Sequence, residues 1–299
     1  MRETPWDRGS LPLIGGPLLC PAVSTLLALA AATLSGSGDF LGGLASRRGR
    51  VMSVVLANHG AGVLTVLTFG PLFGGHLDGQ TILWGSLAGL SGAGAVIALY
   101  TGFSKSHMAV ASPIAAVGAG AWPVLFEIGQ GDVPGPVVIA GLIVGLIAIW
   151  TISSGARPSR TDAVRSGVIY GMLAGLGFGG LLILLSLGSD SSGIWALLPA
   201  RAAGSLAVLV VVLMTTREFV RDRKSLVPSL AAGVLVTLGN GCFVLAAARG
   251  SLAVVSVVAA MFPVATMLLA WIVLHERLTR QRQAGLVLAL IAVGLIVGG

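Results

Sequence analysis

Residues 108–149 read MAVASPIAAVGAGAWPVLFEIGQGDVPGPVVIAGLIVGLIAI, and residues 252–293 read LAVVSVVAAMFPVATMLLAWIVLHERLTRQRQAGLVLALIAV. At a shift of 144 positions they are one design written twice. Ala109, Val110, Ser112, Ala115 and Ala116 recur as Ala253, Val254, Ser256, Ala259 and Ala260. Ala140, Gly141, Leu142, Leu146, Ile147 and Ala148 recur as Ala284, Gly285, Leu286, Leu290, Ile291 and Ala292. Single matches mean little in a chain so rich in Ala and Leu; the common spacing of both clusters is the evidence. An internal repeat in an apolar chain marks membrane folds built from two related units.

The composition places those units in lipid. The chain has 299 residues, 55% of them hydrophobic and only 10% charged, with a mean hydropathy of +0.96. Soluble domains carry about 25% charged residues. The 44 glycines suit close helix packing in a bilayer. A net charge of +7 would point to nucleic acid only if it clustered with aromatics on one face; here it lies in short loops between apolar runs. Cys20 and Cys242 have no metal-ligand spacing and no disulfide framework count. No cofactor or metal is expected.

A span needs about 20 apolar residues. Ten candidates run over 22–45, 51–70, 82–103, 108–127, 136–153, 167–187, 193–215, 227–248, 252–274 and 284–298. Residues 1–21, with Pro5, Pro12, Pro17 and Pro21, read as an irregular leader, a cleaved signal peptide being the competing reading. The basic residues alternate by loop. Arg47, Arg48 and Arg50 follow the first span, Lys105 the third, and Arg157, Arg160 and Arg165 the fifth. Arg217, Arg221, Arg223 and Lys224 follow the seventh; Arg277, Arg280 and Arg282 follow the ninth. The loops around Asp78, Glu127 to Asp132 and Asp190 have none. By the positive-inside rule the basic loops face the cytoplasm and both termini lie outside.

The repeat extends upstream. At a shift of 142, Leu56, Ala61, Gly62, Leu64, Val66 and Leu67 match Leu198, Ala203, Gly204, Leu206, Val208 and Leu209, and His59 falls on Arg201. Leu34, Gly36 and Gly38 match Leu173, Gly175 and Gly177. The expected fold is thus an all-α polytopic membrane protein, ten transmembrane helices in two inverted five-helix repeats. The first repeat covers 22–153 and the second 167–299, joined by a cytoplasmic linker at 154–166. Five is odd, so the second unit enters the membrane from the opposite side, and the interface is the default substrate site.

Ten spans in two units, each closing on a span that opens Ala-Gly-Leu, together with Pro263 and Leu274-His275-Glu276-Arg277-Leu278, resemble the EamA family of the drug/metabolite transporter superfamily. Gly38-Asp39-Phe40-Leu41-Gly42-Gly43 is similar to one branch of it. Two departures stand out: Ala119 occupies the place of Pro263, and the acidic position near Glu127 is displaced relative to Glu276. The resemblance implies a plasma (inner) membrane transporter of a small solute, amino-acid-like or otherwise, exporting rather than importing. It names neither the solute nor the coupling ion.

Charge in the bilayer interior costs a few kcal/mol, so ionisable residues inside spans are candidates. Arg201, eight residues into its span, needs an acidic partner or an anionic ligand. Asp39 is a candidate proton-coupling carboxylate, or else the structural partner of Arg201 or of Arg47 and Arg48. His59 titrates in the right range to couple protons; a neutral imidazole satisfied by a carbonyl or by Asn58 competes. Ser35, Ser37, Tyr100, Trp122, Tyr170 and Asn240 complete the substrate-binding candidates. The glycine runs at 85–89 and 171–179 read as packing faces, and no Gly-x-Gly element has the context of a phosphate loop. His275 and Glu276 read as a loop salt bridge with Arg277 or Arg280. Three rivals are a membrane enzyme, which needs a catalytic cluster, a channel, which needs a filter, and a passive or divalent-cation carrier on the same fold.

Overall fold

The computed structural model describes residues 20–72, 75–129, 135–154, 161–187, 192–215, 222–247, 249, 258–259, 261–275 and 279–298. The leader, the linker's centre, Asp132, Asp190, Glu276 and Arg277 lie outside the described residues.

Ten α-helices run through the described residues. They are α1 (Cys20–Ser46), α2 (Val51–Phe69), α3 (Gly79–Lys105), α4 (Met108–Gly129) and α5 (Pro136–Ser154). Then follow α6 (Thr161–Ser186), α7 (Leu197–Thr215), α8 (Arg223–Ala247), α9 (Phe262–Leu274) and α10 (Arg280–Gly298). Backbone groups cannot go unpaired in lipid, and a helix satisfies them within itself.

Among the described residues, six apolar stretches are long enough to cross a membrane: Val23–Ser46, Val51–Leu72, Gly79–Lys105, Asp162–Leu185, Gly193–Thr215 and Arg223–Ala246. Four are shorter: Met108–Pro123, Pro136–Ala148, Phe262–Leu274 and Gln283–Leu295. Of the ninth predicted span, residues 252–257 and 260 lie outside the described residues; α9 has Pro263 in its first turn, where a missing N–H costs nothing. Helices α6 and α8 extend into polar sequence at Thr161 and Arg223, because a helix does not stop where lipid does.

Helix ends follow local chemistry. Asp78 caps α3, its carboxylate accepting from the Thr81 N–H at 2.7 Å. His275 ends α9 in the left-handed region at φ 53°, and its N–H bonds the Ala270 carbonyl.

Small residues set the packing. Gly171, Gly175 and Gly179 face α4, meeting Ile114, Gly118 and Trp122, while Gly85 and Gly89 face Pro199 and Ala200 of α7. Both runs are packing faces. The principal partners are α1 with α8 and α3 with α6, α4 with α6 and α9 with α1, α3 with α7 and α8 with α2, α2 with α7, and α5 with α10. This set is unchanged when each helix is exchanged for the one five places along. Outward, Leu26, Leu64, Leu146, Trp150 and Met214 are exposed, an apolar surface that lipid would cover.

Two ends can be told apart. At one, Arg47 meets the end of α3, Gly167 of α6 meets Ser106, and Gly49 meets Ser225 of α8. At the other, Gln80 of α3 donates to the Leu187 carbonyl at 3.2 Å, and Gly75 lies against Ser192. The first end carries Arg47, Arg48, Arg50, Lys105, Arg165 and Arg223; it is the basic end.

Candidate functional site

Five helices bring polar side chains together in an otherwise apolar interior. Asp39 comes from α1, Asn58 and His59 from α2, Tyr100 from α3, Arg201 from α7 and Thr237 from α8. Asp39 and Arg201 are each 7% exposed and His59 only 3%, so none of the three has bulk water to compensate its polarity.

Glycines make room for them. A methyl group at Gly62 would lie 2.9 Å from Cδ and 3.2 Å from Nε of Arg201, and 2.8 Å from Thr237 Oγ1. A methyl group at Gly204 would lie 2.8 Å from His59 Nδ1 and 3.1 Å from the Gly89 carbonyl oxygen. Gly62 is three residues after His59, and Gly204 three after Arg201. Each helix thus offers its glycine to the ionisable side chain of the other. Gly42, one turn after Asp39, receives the Tyr100 ring, which places the phenol beside the Asp39 face of α1.

Asn58 Nδ2 donates to the Tyr100 hydroxyl at 3.0 Å. The Tyr100 backbone carbonyl accepts from Ser46 Oγ at 3.1 Å. Asp39, His59 and Tyr100 all lie within electrostatic reach of Arg201. Among the described residues no hydrogen bond or ion pair joins Asp39 to Arg201, or either to another side chain. Asn58 Oδ1, both His59 ring nitrogens and Thr237 Oγ1 are buried there without a hydrogen-bond partner. Native interiors rarely leave such groups unpaired, and the exceptions call for an explanation. Of these, Thr237 Oγ1 shares the Gly62 contact with Arg201, and the His59 ring lies within electrostatic reach of its guanidinium.

The structure brings together four of the residues expected from sequence, Asp39, His59, Tyr100 and Arg201. Asn58, expected to satisfy His59, instead bonds Tyr100. Ser35 is half-buried against Gly239 of α8, and Ser37 and Asn240 are half-buried on α1 and α8. Trp122 is 40% exposed on α4, packed on Gly179. Tyr170 lies at the basic end, where its hydroxyl accepts from Lys105 Nζ at 3.0 Å. Sequence reasoning missed Thr237. The available signal was its position one turn before Asn240 on the same helix face.

No curated protein matches the chain. A solved structure described only as "Crystal structure of protein" shares the fold, with a TM-score of 0.63 at 14% identity over 92% of this chain and 97% of its own. The family model for the EamA-like transporter family matches residues 165–298, the second of the two sequence repeats and the one that contributes Arg201 and Thr237. Over that half the chain is similar to the EamA-like transporter family.

Proposed function

We propose that this protein is a secondary transporter of a small amino-acid-like solute, working by alternating access of two inverted five-helix units around the Asp39–His59–Arg201 cluster. The observation that carries the reading is a buried arginine with no acid joined to it among the described residues. Removing a charge from water costs several kcal/mol unless it is compensated, and a substrate carboxylate supplies that compensation. Asp39 offers the opposite charge nearby. A solute with both a carboxylate and an ammonium group balances the two together. When the solute leaves, a proton takes the place of its ammonium group on Asp39, with His59 as a second proton site; that exchange is the proposed coupling.

The inverted arrangement is supported by the pairing of α1 with α8 and α3 with α6, which is its own image under exchange of the units. The domains proposed are residues 22–153 and 167–299. The positive-inside rule places the basic end in the cytoplasm of a plasma-membrane protein with both termini outside. Outward transport is the direction that the family resemblance implies. A divalent-cation carrier would need an acidic centre, and this centre holds a single carboxylate within electrostatic reach of a guanidinium.

The test is thermal unfolding of the purified protein in detergent against a panel of zwitterionic, anionic, cationic and neutral solutes, since a ligand that binds only the folded state raises its stability. Zwitterionic amino acids raise the melting temperature of wild type and leave Arg201→Ala unmoved. Equal shifts in both proteins would contradict the assignment.

A further inference from the structure

The basic end of the molecule carries one cross-unit contact that the substrate cluster does not use. Lys105 is the last residue of α3, and its Nζ donates to the hydroxyl of Tyr170 on α6 at 3.0 Å. The same Nζ lies 5.0 Å from the centre of the Tyr170 ring, within cation–π range. The approach is prepared on both sides. A methyl group at Gly102 would stand 3.1 Å from the Tyr170 Cβ, and Gly167 lies directly against Ser106. Beside them Arg47 donates from Nε to the Phe103 carbonyl at 3.0 Å and from Nη2 to the Ser106 carbonyl at 3.3 Å. Carbonyls at a helix C-terminus lack intrahelical partners and favour cations, so both bases suit this end of α3.

The repeat supplies the comparison. A shift of 144 carries Lys105 onto Arg249. Among the described residues Arg249 makes no bond across to the other unit; its Nη1 donates to the Leu245 carbonyl of its own helix at 3.0 Å. The shift of 139 that relates the first and sixth helices carries Tyr170 onto Ala31, which has no hydroxyl to accept. The helices follow the same pattern. α1 packs on α3 next to the Arg47 contacts, whereas α6 and α8, their counterparts, make no comparable contact among the described residues.

We infer that Lys105 and Tyr170 form a one-sided latch: it holds the two units closed at the basic end, and it must break for the site to open there. The opposite end has no equivalent pair at the matching positions, so the resting protein favours closure at the basic end. This rests on the alternating-access reading above, and it gives Tyr170 a role in gating rather than in solute contact. No bond is made or broken covalently. The switch exchanges one hydrogen bond and one cation–π contact for water.

The experiment is a spin-label distance measurement in the full chain, in a background with Cys20 and Cys242 replaced by Ser. Labels go on Arg48→Cys and Arg165→Cys, exposed positions on the two units at the basic end. With the latch intact one short distance dominates. Lys105→Met adds a longer population; Tyr170→Phe, which keeps the ring and loses the hydroxyl, adds less; Lys105→Arg restores the short distance. An unchanged distribution in both Lys105→Met and Tyr170→Phe overturns the latch. The readout needs no solute, so it stands apart from the transport reading. If no amino acid moves through wild type but the distances shift, the latch survives and the substrate assignment fails. If amino acids move but the distances do not shift, the reverse holds.

Discussion

Arg201 rests its Nε and Cδ against Gly62, and His59 rests its imidazole against Gly204 in the same way. In sequence the four are two matched pairs, His59 with Arg201 and Gly62 with Gly204, at the common shift of 142. In space they are crossed. The scaffold residue of each unit is therefore the floor under the functional residue of the other, and the repeats meet at this point.

Filling that floor separates binding from folding. Gly62→Ala puts a methyl group 2.8 Å from Thr237 Oγ1 and 2.9 Å from Arg201 Cδ, so the guanidinium must move. Overpacking of this kind costs about 1–3 kcal/mol. Gly94→Ala, where nothing lies within 4 Å, is the control. We expect Gly62→Ala to lose uptake in proteoliposomes with a modest fall in melting temperature, and Gly94→Ala to change neither.

Tyr100→Phe tests the polar floor from the other side. It removes the acceptor of the Asn58 amide at 3.0 Å, and Asn58 Oδ1 is already without a partner. The whole carboxamide is then buried and unpaired, at a cost of about 1–3 kcal/mol. Thermal melting should fall accordingly, whereas Tyr170→Phe at the exposed basic end should leave it nearly unchanged.

Asp39 is assigned the exchange of a proton for an ammonium group. Uptake by wild type into proteoliposomes should respond to an imposed pH gradient. Asp39→Asn keeps the shape and abolishes protonation, so its residual uptake should be indifferent to the gradient. A gradient response equal to that of wild type would remove Asp39 from the coupling.

The orientation is tested by cysteine labelling of intact cells in the Cys-free background. Thiols at residues 160 and 190 should react with an impermeant reagent from opposite sides, 190 from outside. Labelling of both from one side would refute the topology.

Much of the architecture was legible in the sequence because lipid makes demands that composition cannot hide. Apolar runs gave the helices, the spacing of Gly171, Gly175 and Gly179 gave a packing face, and isolated charges at Asp39, His59 and Arg201 gave the centre of the cluster. Length was less legible. α6 begins at Thr161 and α8 at Arg223, ahead of the apolar runs expected from 167 and 227, since hydropathy does not register a helix that continues into polar sequence. Uncharged polar residues were the least legible. Thr237 and Ser37 look alike in an apolar run, and only the approach of α2 and α7 to α8 puts one of them at the guanidinium. Trp122 was expected at the solute and packs on Gly179 with 40% exposure, because an aromatic side chain in a span serves the surface as readily as a site.

The most direct test of the central claim is uptake of a radiolabelled zwitterionic amino acid by proteoliposomes holding wild type, Arg201→Lys or Arg201→Ala. Truncating one side of a buried charge pair costs about 2–5 kcal/mol, which at 1.4 kcal/mol per decade is roughly 30-fold or more in affinity. The account predicts saturable uptake by wild type, weakened uptake by Arg201→Lys and none above background by Arg201→Ala. Undiminished uptake by Arg201→Ala would contradict it.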